Sequence, residues 1–171
     1  MKQGAKMEIL MESGGRILME LWPDVAPRAC AGIEKIINLK KYDGKVIERL
    51  EPGFVIQPLF QDGLDEDIDE LIEPEFLTNP GQKELRFDRG IVGMAGIKDK
   101  ASASQFYITL APVERLNGHF TIVGKVIDGW DEVQRLEGVE VEEKVDEPSG
   151  FHYHKPVKDE VVKQVRLLEI S

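Results

Sequence analysis

Thiol and imidazole chemistry have little to work with in this chain of 171 residues, which carries one cysteine, Cys30, and three histidines. A single thiol excludes an intrachain disulfide and fits a reducing compartment, so a cytoplasmic location is expected. Cys30 stands among apolar residues of an expected helix, so its thiol is expected to be buried and unreactive. No Ser-His-Asp or Cys-His pairing stands out, and there is no glycine-rich phosphate loop. The opening stretch from Met1 to Met7 lacks the apolar run of a signal peptide, and no segment approaches the roughly 20 apolar residues of a membrane span. Positive charge is also short. Lys and Arg number 22 against 32 Asp and Glu, a formal net charge of -10. Phosphate backbones and anionic lipids would repel such a surface, which argues against nucleic-acid and membrane partners.

What is present is an ordinary globular composition, 42% hydrophobic and 32% charged. The length suits one domain over residues 1–171 with one core. Met7 to Glu12 and Arg16 to Leu21 form an expected hairpin around Ser13-Gly14-Gly15, where glycine permits a tight turn. Pro23 to Pro27 is a stiff connector, and Pro27 suits a first helical turn. Ala29, Ile33, Ile36 and Ile37 then recur at helical spacing, until Tyr42-Asp43-Gly44 supplies turn chemistry. Short strands are expected at Val46 to Leu50, Phe54 to Gln57, Ile91 to Ala95, Phe106 to Leu110 and Thr121 to Val126. A second helix is expected from Asp131, which can cap it, through Val133 and Leu136. Glu160 to Ile170 reads as a closing strand. The pattern is mainly β, a closed or nearly closed antiparallel barrel with two helices.

Two clusters carry candidate chemistry. One holds Arg49, Pro52-Gly53-Phe54-Val55 and Gln57; the other runs from Arg89-Gly90 to Met94-Ala95 and on to Ser104-Gln105-Phe106-Tyr107-Ile108. An arginine and two glutamines among aromatic and aliphatic residues suit a groove that holds an apolar ring and addresses an amide by hydrogen bonds. Taken singly, each residue has a plainer reading. A strand arginine is usually a surface residue, Phe54, Leu116 and Phe120 are equally suited to a core, and Gln57, Gln105 and Tyr107 can simply satisfy buried polar groups.

These blocks, with Leu116-Asn117-Gly118 and Gly124 to Gly129 in the same order, resemble the cyclophilins, a family of peptidyl-prolyl cis-trans isomerases. The resemblance runs from about Met7 to Ile170. It implies a closed eight-stranded antiparallel β-barrel capped by two α-helices, no cofactor and no metal. It also implies a role in assisting protein folding at proline-containing peptides or unfolded segments. By family position, Arg49 is the expected donor to the proline nitrogen. Phe54, Tyr107, Leu116 and Phe120 form the expected ring pocket, with Val55 at its edge. Gln57 and Gln105 are expected to divide two tasks, supporting Arg49 and contacting the substrate backbone. Ala95 lies beside Gly96, whose backbone is expected to pair with the residue before proline. A non-catalytic proline-peptide or chaperone-like module on the same fold is the alternative, and a small-ligand barrel a more distant one.

The sequence departs from the family pattern at several points. Ile47-Glu48 replace Phe-His before the arginine, and Glu48 and Glu51 either pair with Arg49 or point to solvent. Pro58-Leu59-Phe60 replace Gly-Gly-Asp, Gly96 replaces asparagine, and Phe120 replaces a histidine or tyrosine. Arg115 stands at the tryptophan position of cyclosporin-sensitive members, so weak cyclosporin binding is expected, as is a monomer. The acidic stretch from Asp62 to Glu75 reads as a solvated loop, with steering of cationic peptides as the sharper alternative. His152-Tyr153-His154 reads as a surface turn, since two imidazoles without a third ligand make a poor metal site.

Overall fold

The computed structural model describes residues 4–58, 71–97, 99–147 and 149–168. The loop at Leu59-Phe60, most of the acidic stretch and the end of the closing strand lie outside the described residues. The expected N-terminal hairpin forms as β1 (Lys6–Met11) and β2 (Arg16–Leu21). Helix α1 spans Pro27–Asn38 and buries Ala29, Cys30, Ile33, Ile36 and Ile37, the stripe set by their spacing. Burial pushes the Cys30 thiol up to about 12, so it remains protonated at neutral pH. The chain continues through β3 (Arg49–Glu51), β4 (Val55–Gln57), β5 (Leu71–Ile72) and the single turn α2 (Glu75–Thr78). Strands β6 (Ile91–Ile97), β7 (Lys100–Thr109) and β8 (Ile122–Asp128) follow, then helix α3 (Trp130–Glu137). Last come β9 (Val141–Asp146), β10 (Phe151–Pro156) and β11 (Val162–Leu168). No helix among the described residues is long and apolar enough to cross a membrane.

The main sheet is antiparallel in the order β11-β1-β2-β8-β6-β7-β4-β3, with β5 pairing beside β4 on β7. It curls, but it does not close as the expected barrel does. Its end strands β3 and β11 do not pair; the approach to β3 makes one bridge, Val46 to Val161. The expected strand from Val46 to Leu50 is therefore split. Ile47 donates its N–H to the Glu160 carbonyl, whereas the strand proper starts at Arg49 and pairs with β4. The helix count also differs, because α2 adds a short third helix. Asp131 does not cap α3; Gly129 stands at that position with φ of +88°, and Asp131 sits in the first turn.

The acidic stretch is corrected at its end. Glu75 is 2% exposed. Its carboxylate accepts from the N–H groups of Arg28 (2.8 Å) and Ala29 (3.1 Å), capping the start of α1 from a distance. His152 to His154 is corrected too, since it forms part of β10 and pairs with β9 in a separate two-stranded hairpin.

Two apolar clusters fill the molecule. The larger joins α1 and α3 to one face of the sheet through Met7, Met19, Ile33, Phe106, Val133 and Leu136. The smaller gathers Trp22, Val55, Phe87, Tyr107, Leu116 and Ile122, with Phe54 and Phe120 partly buried against it. The candidate site is the open side of this smaller cluster.

Candidate active site

Strand pairing places the polar residues. Arg49 faces Gln57 across β3 and β4, and Glu51 faces Val55. Side chains alternate along a strand, so these four share one face while Leu50 and Ile56 enter the main core. The connecting turn is built by Pro52-Gly53. Phe54 donates its N–H to the Glu51 carbonyl at 2.9 Å, and Gly53 takes φ of +77°, a conformation glycine adopts without strain.

Strands β6 and β7 supply the floor. Tyr107 lies opposite Gly93, where a Cβ would come within 2.7 Å of the Phe87 ring and of the Tyr107 hydroxyl. Glycine there leaves room for the tyrosine ring. The register shifts between Met94 and Gly96, with the extra residues on β7, and both Ala95 and Gly96 line the groove. Leu116 and Phe120 close one wall. Their segment is tied to Phe87, whose N–H donates to the Asn117 side chain at 2.7 Å and whose carbonyl accepts from Val113 at 2.8 Å.

The result is one groove of about 340 Å³, lined by Arg49, Phe54, Val55, Gln57, Ala95, Gly96, Tyr107, Leu116, Phe120 and Phe151. Tyr107 packs edge-on to Phe120 at 6.2 Å between centroids and stacks on Phe87 at 5.9 Å. Gln105 does not line the groove; it is half-buried on the Tyr107 face of β7, two positions away. Arg115 lays its guanidinium 4.5 Å from the Phe54 centroid.

Both acidic neighbours of Arg49 are engaged. Glu48 turns to Lys155 at 3.6 Å. Glu51 accepts from Arg49 Nε at 3.0 Å and from both the backbone N–H (3.1 Å) and Nδ1 (2.6 Å) of His154. Burial alone would push the Glu51 carboxyl up, but the Arg49 and His154 donors outweigh it and hold it below the usual carboxylate range. The Arg49 side chain is 17% exposed, with its guanidinium carbon 5.6 Å from the Phe54 centroid and 5.3 Å from that of Phe151.

The family model described as cyclophilin type peptidyl-prolyl cis-trans isomerase/CLD matches residues 6–167. This chain belongs to the cyclophilin family. A probable peptidyl-prolyl cis-trans isomerase of Brucella suis is 34% identical over 142 residues, 75% of this chain and 69% of that protein. A peptidyl-prolyl cis-trans isomerase of Schizosaccharomyces pombe is 32% identical over 127 residues, 74% of this chain and 82% of that protein. Peptidyl-prolyl cis-trans isomerase-like 2 of Cryptococcus neoformans is 30% identical over 91% of this chain, which spans 26% of that protein's length. Among solved structures, a Cryptosporidium parvum cyclophilin type peptidyl-prolyl cis-trans isomerase superposes with a TM-score of 0.79 at 26% identity, covering 98% of this chain and 99% of that one. The same protein was also solved in the presence of the dipeptide Ala-Pro, with a TM-score of 0.78.

Within this cyclophilin groove, Phe151 is the wall residue that reasoning from sequence missed. It comes from β10 and stacks with Tyr153 at 6.5 Å, with ring planes 11° apart. Aromatic residues two apart, just after Ser149-Gly150, were its signal. His154 goes unassigned in the sequence, where two imidazoles without a third ligand suggest only a surface turn, yet its ring meets Glu51.

Proposed function

We propose that this cyclophilin-family chain catalyses cis–trans isomerisation of X–Pro bonds in peptides and unfolded segments. One observation carries the reading. A guanidinium shares a groove with an apolar slot of Phe54, Tyr107, Leu116 and Phe120, roomy enough for a pyrrolidine ring.

The chemistry follows from the amide. Rotation faces a barrier of roughly 20 kcal/mol because the C–N bond is partly double. At the twisted transition state the proline nitrogen is pyramidal and carries a usable lone pair. A donor aimed at it stabilises the twisted form above the planar one, and each kcal/mol of that preference is worth about fivefold in rate. Arg49 is assigned this role. A guanidinium donates in a rigid planar fork, which suits a donor that must meet one nitrogen. The slot binds the ring and holds the nitrogen against the fork. Gln57, directly across the strand pair from Arg49, is assigned its support, and the Ala95-Gly96 edge is assigned the backbone before proline. Gln105 is assigned a contact with the substrate backbone beyond the groove lining. Residues 1–171 are read as one domain.

The charge that the Glu51 carboxylate draws from Arg49 is the one observation behind a second reading, a binding module that holds proline peptides without turning them over. A protease-free assay on a proline tetrapeptide separates the two. Isomerisation by the unmodified chain, lost in Arg49→Ala, supports catalysis. Peptide binding with uncatalysed rates in both supports the module.

A further inference from the structure

The hairpin of β9 and β10 packs against the active-site strand β3 and contributes little to either apolar cluster. Its side chains reach the segment around Arg49, with Lys155 on Glu48, Phe151 on Arg49 and His154 on Glu51. Phe151 covers Arg49 with its ring at 5.3 Å. His154 places two donors on Glu51, one on each carboxylate oxygen. Glu51 in turn holds Arg49 Nε through the oxygen that also accepts the His154 backbone N–H. Glu51 is 15% exposed at its side chain, so this chain of bonds is partly shielded from water, whereas the His154 side chain is 45% exposed at its outer end.

A guanidinium bonded at Nε has its plane fixed, and the terminal nitrogens then point in a set direction. An arginine without such a partner samples many rotamers, and ordering them at each turnover costs free energy. A carboxylate partner also subtracts positive charge, which weakens a donor. The two effects oppose each other, and the geometry favours the first, because His154 draws on the same carboxylate from the far side and shares its charge.

We propose that Glu51 and His154 are positioning residues that lock the Arg49 fork for catalysis, making the β9–β10 hairpin a functional part of the active site. This rests on the isomerase reading above. His154 is half-exposed and lies on the hairpin, so its replacement leaves the core packing intact.

The test compares the unmodified chain with Arg49→Ala, Glu51→Ala, His154→Ala and His154→Asn in the tetrapeptide assay. The asparagine amide can reach the position of Nδ1. Glu51→Ala and His154→Ala are expected to lower kcat by about tenfold with little change in KM, since a displaced donor acts on the transition state. His154→Asn is expected to recover most of that loss, and the Glu51→Ala/His154→Ala double variant to be no worse than Glu51→Ala alone. A second readout is the NMR signal of Arg49 Nε–H. It is expected to exchange slowly with water in the unmodified chain and rapidly in both alanine variants. Unchanged kcat and unchanged exchange in His154→Ala overturn the positioning role while leaving the isomerase reading intact. If the unmodified chain lacks activity, the isomerase reading fails, and the exchange measurement still decides whether the fork is held.

Discussion

Replacing Tyr107 by phenylalanine tests how dry the floor of the groove is. Tyr107 is 6% exposed, and its hydroxyl is a buried polar atom without a hydrogen-bond partner among the described residues. Burial pushes that hydroxyl far above the ordinary phenol range. A buried hydroxyl that makes no bond costs about 1–3 kcal/mol in lost hydration, and Tyr107→Phe removes the group without touching the ring. The contacts with Phe87 and Phe120 survive, since both are made by the ring. The hydroxyl lies in the room left by Gly93, where a Cβ would stand 2.7 Å from the oxygen, so its loss removes one polar atom and leaves the ring in place. We expect a gain of about 1 kcal/mol, read in a thermal melt as a Tm higher by about 2–4 °C for a domain of this size. The isomerisation rate is expected to stay within about twofold, because ring and slot are unchanged. A loss of stability exceeding about 0.5 kcal/mol would refute the reasoning, because it would mean that the hydroxyl makes a bond worth more than its burial costs.

Three further outcomes are expected. Glu75→Ala leaves the first turn of α1 without its carboxylate and should cost about 2–3 kcal/mol by urea denaturation; a change below about 0.5 kcal/mol would show that the cap is dispensable. For Glu8, Glu51 and Glu132 burial is the largest single influence and pushes each carboxyl up, but the donors together hold it below its ordinary 4.5, Glu8 by Arg166 and Arg16, Glu51 by Arg49 and His154, Glu132 by Arg135 and Ser13. Depressed folded values mean that this stabilisation is complete above the unfolded pKa and is lost as pH falls through the folded ones. The urea midpoint should therefore drop on acidification below about pH 4.5, and a midpoint that holds down to about pH 3 would contradict it. Cyclosporin should bind weakly, since Arg115 stands where sensitive cyclophilins have tryptophan and its guanidinium lies on Phe54. A submicromolar Kd in a calorimetric titration would sink that expectation.

The legible parts of this molecule are those where residue type and backbone geometry depend on each other locally. Pro52-Gly53 dictates the turn that aligns Arg49 with Gln57, and Gly53 takes the positive φ that the dipeptide foretells. The apolar stripe of α1 and the hairpin of β1 and β2 follow from spacing alone. Less legible were features set by distant parts of the chain. Glu75 looks like one more charge in an acidic run, and only the fold carries it to the start of α1. Closure of the barrel was expected from strand count, but closure depends on whether the two end strands meet, and a count does not contain that. Arg89, singled out with its family signature, is occupied elsewhere: it donates to the Leu110 carbonyl and to Glu137 of α3, tying a helix to the end of β7.

The β9–β10 hairpin explains why the outer wall of the groove escaped notice. Strands are recognised by alternation between a buried and an exposed face. Here nearly every residue from Val141 to Lys155 is at least partly exposed, so there is no buried face to impose a period. Such a hairpin gains little from a hydrophobic core, and an isolated two-stranded ribbon is marginal in water. It must be held by specific side-chain bonds, and among these the Lys155 and His154 bonds end on Glu48 and Glu51, one and two positions from Arg49. The bonds between His154 and Glu51 belong both to what keeps the hairpin in place and to what orients the guanidinium, so a change that loosens them acts on the hairpin and on Arg49 together.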